Sequence, residues 1–97
     1  MTIEDTFRYL VGAYYGVLEL DEYATKEYLL KDIENYIKDY VKENNKGNID
    51  FKGLARDVED HVSLKVKFQD CLLVLPKVNA PLEAILLVKA RIKDFDE

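Results

Sequence analysis

From Thr25 to Asn45 the apolar residues Leu29, Leu30, Ile33, Tyr36, Ile37, Tyr40 and Val41 recur mostly at spacings of three and four. At 3.6 residues per turn that places them on one face of a helix. Lys26, Glu27, Lys31, Asp32, Glu34, Lys38, Asp39, Lys42 and Glu43 fill the opposite face. Glu27–Lys31 and Glu34–Lys38 are acid-before-base pairs one turn apart, each worth ~0.3 kcal/mol. Thr25 is placed to cap the start. Asn44, Asn45 and Gly47 tolerate the left-handed backbone that often ends helices. Such a one-sided helix must bury its stripe against another element.

A second helical pattern precedes it. Ile3, Phe7, Leu10, Val11, Tyr14, Val17 and Leu18 predict a helix over about residues 2–19. Thr2 with Asp5 forms a capping-box pattern, with Asp in place of the usual Glu. The short connection Leu20–Ala24 predicts that the two helices fold back as an antiparallel hairpin. Gly12, Ala13 and Gly16 lie together on the first helix. Each glycine costs up to ~1 kcal/mol there relative to alanine, a cost offset where backbones approach closely. The small face packs against the second helix, meets another copy of the chain or floors a groove, so Gly12 and Gly16 are candidate contact residues.

Lys42–Asn48 reads as a polar hinge. Phe51, Leu54, Ala55, Val58 and Val62 then predict a short third helix at about residues 50–61, capped by Asn48 or Asp50. After His61 the period changes. Val62, Leu64, Val66 and Phe68 alternate with Ser63, Lys65 and Lys67, as in a half-buried strand. Cys71–Leu75 is an apolar run, and Pro76–Pro81 a turn. Val88, Ala90 and Ile92 alternate with Lys89, Arg91 and Lys93, predicting a second strand.

The expected fold is therefore α+β in a single domain, residues 1–97: an N-terminal helical hairpin and a short third helix packed with a C-terminal β-hairpin. The alternative is an all-α bundle of four to five helices. Leu64, Phe68, Cys71, Leu72 and Leu75 also fit one helix face with Ser63 as cap, and Asn79-Ala80-Pro81-Leu82 resembles a helix start.

Composition narrows the function classes. With 48% hydrophobic residues the 97-residue chain is not a disordered one. Its net charge of −5 is uneven: residues 1–61 carry −6 and residues 62–97 carry +1. That field opposes nucleic acid and suits a basic protein partner. The lone Cys71 sits in an apolar run, and no basic leader opens the chain, so a cytoplasmic setting is expected. The uncharged stretch Tyr9–Leu18 is too short to span a membrane.

No constellation carries chemistry. Asp57 and His61 share a helix face, but two ligands do not make a metal site. Ser63 lies two residues from His61 with no orienting acid. Apolar surroundings raise rather than lower the Cys71 thiol. Gly47, Asn48 and Gly53 do not form a phosphate loop. A helix-turn-helix around Leu54–Val58 would have Glu59 where glycine usually turns the chain. No catalytic residue, metal, cofactor, small-molecule substrate or membrane contact is expected, and the protein is read as a non-enzyme.

The reading that remains is a small acidic protein–protein interaction module that associates with itself as a homodimer through its first two helices. All seven tyrosines precede residue 45, and tyrosine suits half-buried positions and interfaces. Tyr9, Gly12, Tyr15, Gly16 and Tyr28 are the expected contact residues. An alternative is a small acidic inhibitor or immunity-type protein masking a basic site on a nuclease or other nucleic-acid-binding protein. It would use Glu19, Asp21, Glu22, Asp57, Glu59 and Asp60. A third reading is nucleic-acid binding through Lys65, Lys67, Lys89, Arg91 and Lys93 on one face of the β-hairpin.

Overall fold

The computed structural model describes residues 2–20, 25–45 and 49–95. Asp21, Glu22, Tyr23 and Gly47 lie outside them, and with them most of the expected connection and residues 46–48 of the expected hinge, whose first three residues belong to the second helix. The elements are α1 (Ile3–Leu18), α2 (Lys26–Asn44), α3 (Phe51–His61), α4 (Leu64–Val74), a 3-10 turn (Leu75–Val78) and α5 (Leu82–Phe95). No strand occurs among the described residues, so the expected β-hairpin and the α+β class are corrected to the all-α alternative.

α1 is the central helix. At its start the Thr2 hydroxyl accepts from the Asp5 N–H at 3.0 Å, and the Thr2 N–H donates to the Asp5 carboxylate at 3.2 Å. That reciprocal pair satisfies two of the donors every helix start leaves open. α2 runs back antiparallel. The Tyr40 hydroxyl donates to the Ile3 carbonyl at 3.0 Å, and Lys26 Nζ donates to the carbonyls of Leu18 and Leu20 at 3.0 and 2.6 Å. The start of α2 thus closes the end of α1, while the Thr25 side chain, expected as a cap, makes no capping bond.

Asp50 caps α3, accepting from the Gly53 N–H at 2.9 Å. The Ser63 hydroxyl accepts from the Val66 N–H at 3.3 Å and starts α4. The residues of α4 that are wholly buried are Phe68, Cys71 and Val74, a helical spacing continued by Leu75. Val66, which a strand would turn inward with Leu64 and Phe68, is 42% exposed. The period-two alternation was therefore accidental, and burial against α1 selects the helical face. In α5 the buried residues are Ala84 and Val88, four apart, whereas the adjacent Lys89 and Ala90 are both exposed. The turn between α4 and α5 passes through Asn79 in the left-handed region, φ 54°, a conformation asparagine tolerates.

Two apolar clusters share α1. Leu10, Ala13 and Val17 join Leu29 and Ile33 of α2, Phe68, Cys71 and Val74 of α4, and Ala84 and Val88 of α5. On another side Phe7 and Val11 join Val58 of α3. α1 and α4 are antiparallel, since Gly12 meets Asp70, Gly16 meets Lys67, and Tyr9 meets Lys77 beyond the end of α4.

Candidate functional site

α2 and α3 each pack mainly on α1. The gap between them is an open cleft of about 230 Å³. Phe7 and Val11 line it from α1, with Tyr14 and Tyr15 beside them; Ile37 contributes from α2 and Ala55 from α3. Glu34 and Lys38 of α2 complete the lining and close an ion pair with each other at 3.0 Å, so the α2 rim is neutralised internally. Besides the Phe7–Val11–Val58 cluster, two contacts with α1 hold α3 beside the cleft. The Phe7 and Phe51 rings meet edge to face with centroids 4.8 Å apart, and Arg8 donates to Asp57 at 2.6 Å. Tyr14 and Tyr15 are edge to face at 5.6 Å. Burial, then a hydrogen bond to the Glu59 carboxylate, holds the Tyr15 phenol above its ordinary pKa.

The expected contact residues do not form one surface. Tyr15 lines the cleft. Tyr9 accepts a hydrogen bond from Lys77 Nζ at 3.0 Å on the α4 side. Tyr28 stands alone on α2, 75% exposed. Gly12 and Gly16 are buried against α4 of the same chain, not against α2. A Cβ on Gly16 would lie 2.6 Å from Cys71 Sγ and 2.9 Å from the Lys67 carbonyl oxygen. The glycines thus serve an intramolecular seam, in which the Cys71 thiol donates to the Ala13 carbonyl at 3.3 Å. Burial pushes that thiol up to about 12, so it stays protonated and unreactive.

Of the residues expected to form an acidic face, Asp57, Glu59 and Asp60 lie together on α3 and Glu19 lies just past α1. Asp57 is engaged by Arg8, and the Glu19 carbonyl accepts from Arg91 at 3.2 Å. Glu59 faces Tyr15, Asp60 is exposed, and Asp21 and Glu22 lie outside the described residues. The ion pair also removes Asp57 from the Asp57–His61 pairing considered for a metal, and the Ser63 hydroxyl is spent as a helix cap. Among the described residues no group of three or more His, Cys, Asp or Glu could hold a metal ion.

The basic hairpin face is corrected along with the hairpin. Lys67 Nζ donates to the Glu59 carbonyl at 3.0 Å, and Arg91 lies over the Phe68 ring at 5.2 Å, whereas Lys89 and Lys93 point outward from α5. With the hairpin gone, Lys65 and Lys67 lie on α4 and Lys89, Arg91 and Lys93 on α5, so no strand alternation gathers them.

Sequence reasoning missed Phe7, Val11, Tyr14, Ile37 and Ala55 as site residues, because it assigned them to core stripes. The small Ala55 among the larger apolar residues of α3 was the available signal. It also missed Asp70. That carboxyl lies in the α1–α4 seam against Gly12, and burial pushes it up to about 7. On the helical reading of α4, Asp70 falls on the buried side between Lys67 and Val74, an acid within an apolar face.

No helix among the described residues is long and apolar enough to cross a membrane. No family model matches the chain, and no curated protein or solved structure matches it.

Proposed function

We propose that this chain is a non-catalytic protein–protein interaction module whose docking site is the cleft between α2 and α3. The observation that carries the reading is an apolar cleft, open to solvent and floored by the buried Phe7 and Val11. At about 230 Å³ the cleft falls below the ~300–1,000 Å³ usual for small-molecule pockets. It has room for one or two apolar side chains, such as the leucine or aromatic anchor of an amphipathic helix. Two helices over a third also leave a groove in which a further helix can lie. A second copy of the chain is one such partner, though its contact does not use the glycines already buried by α4. The buried, protonated Cys71 fits a cytoplasmic setting.

The test fills the cleft. Ala55→Trp, wild type and an outer-face control, Leu73→Ser, are each used as bait, with melting curves to show that all three fold. The expected result is a partner retained by wild type and by the control but lost with Ala55→Trp. Identical capture by all three removes the cleft from the reading. Light scattering of the same proteins reports whether the partner is a second copy, in which case Ala55→Trp turns monomeric.

A further inference from the structure

We propose that the Asp70 carboxylate, seated in the side-chain-free notch at Gly12, is a docking point for an arginine of a basic partner protein. A carboxylate oxygen of Asp70 occupies the space that a Cβ at position 12 would need. The residue remains partly exposed there. Among the described residues it has no hydrogen-bond or ion-pair partner.

Lys67, Lys77 and Arg8 of its own chain are engaged by other groups. Lys67, one turn earlier on α4, donates to the Glu59 carbonyl at 3.0 Å and lies 5.7 Å from the Tyr15 ring centroid. Lys77 donates to the Tyr9 hydroxyl at 3.0 Å and covers that ring. Arg8, one turn before Gly12 on α1, is held by Asp57 at 2.6 Å. A carboxylate that is partly desolvated and uncompensated gains most from a cation brought by another molecule. Guanidinium is less strongly hydrated than ammonium and pairs with both carboxylate oxygens, so arginine suits the notch better than lysine. The net charge of −5 favours the approach of such a partner.

The site stands apart from the cleft, which opens on the α2–α3 side of α1, so either can fail without the other. The test measures binding of two labelled peptides, one with arginines spaced by glycine and serine and one with lysines in their place, at physiological salt. Wild type is compared with Asp70→Asn, with Asp60→Asn as a same-charge control at an exposed site, and with Ala55→Trp. Asp70→Asn is expected to weaken the arginine peptide about tenfold, since truncating one member of a charge pair removes most of its worth. Asp60→Asn should change it by less than about twofold, as expected for a screened surface charge. The lysine peptide should bind more weakly, and Ala55→Trp should leave arginine binding unchanged. Binding of the arginine peptide should tighten from pH 6 to pH 8 as the carboxyl ionises. Asp70→Asn should melt no lower than wild type, which separates lost binding from lost structure. Equal weakening by Asp70→Asn and Asp60→Asn, or equal affinity for the two peptides, or no binding by wild type, overturns the proposal.

Discussion

α1 meets its neighbours in two ways. Toward α4 it presents Gly12, Ala13 and Gly16, and the two backbones close until a thiol and a carbonyl of α4 fill the space of a missing side chain. Toward α2 and α3 it presents Phe7, Val11 and Tyr14, and the larger residues hold those helices apart over an open cleft. The same helix is thus sealed on one side and left accessible on another. Residue size along the helix sets the difference: small residues spend their backbone on fixed structure, while large ones leave concave surface between their neighbours.

Adding side-chain volume should therefore have opposite consequences on the two sides. Gly16→Leu should cost about 3 kcal/mol, because the new side chain meets the Lys67 backbone carbonyl, which cannot turn away. Chemical denaturation measures it, and the loss should not depend on protein concentration, since the contact lies within one chain. Gly12→Ala meets the Asp70 side chain, chiefly its carboxylate, rather than backbone and should fall within ~1 kcal/mol of wild type, helped by the better helix propensity of alanine. An equal cost at both positions breaks the account of the seam.

Asp70 tests the seam by charge rather than volume. Its folded-state carboxyl is raised to about 7 from an ordinary value of 3.8, so ionisation opposes folding. The folded state holds the proton more tightly than the unfolded one between those values. Stability is therefore least above pH 7 and rises as pH falls from 7 toward 4. Because the group is partly exposed, Asp70→Asn should stabilise by only about 1–2 kcal/mol at pH 8, an advantage that shrinks as the buffer is acidified. Denaturation of both proteins at pH 8 and pH 5 decides it, and a gap that does not narrow at pH 5 removes the titration from the account.

On the cleft side Ala55→Leu should leave stability unchanged or raise it by up to ~1 kcal/mol, because the added methyl groups enter vacant apolar space. A loss like that of Gly16→Leu would mean the cleft is no opening. The smallest effect belongs to the strut that holds α3 beside the cleft. Arg8 and Asp57 keep 40% and 42% of their side chains exposed, so Arg8→Met should cost roughly 0.5 kcal/mol in a thermal melt.

The N-terminal half was legible because its stripes are long and unambiguous. Nineteen residues of α2 separate charge from hydrocarbon, and no strand accommodates that spacing. α4 is eleven residues long, and its Leu64, Val66 and Phe68 satisfy the strand period as well as part of the helical one. What settles it is burial against α1, which local periodicity does not contain. The glycines were legible as a close contact, but their partner was not: α4 stood in the sequence as a strand, so the neighbouring α2 or another copy of the chain was expected to receive them. The cleft was least legible, because a groove-lining apolar residue and a core residue look alike in a pattern. Only the spacing of three helices in space tells them apart.

The Cys71–Ala13 hydrogen bond joins residues 58 apart in the chain, and this separation bears on how the protein comes to be folded. α1 and α2 can pair locally as soon as both exist, closing only a short loop. The glycine side of α1 has no partner until α4 has been made. Bringing α4 back requires closing a loop of more than fifty residues, whose entropic cost falls on the transition state before the seam contributes anything. During synthesis, then, the emerging helical hairpin carries a bare, small-residue flank for as long as it takes to translate α3 and α4. A chaperone or a second nascent chain has its best opportunity to engage the protein in that interval.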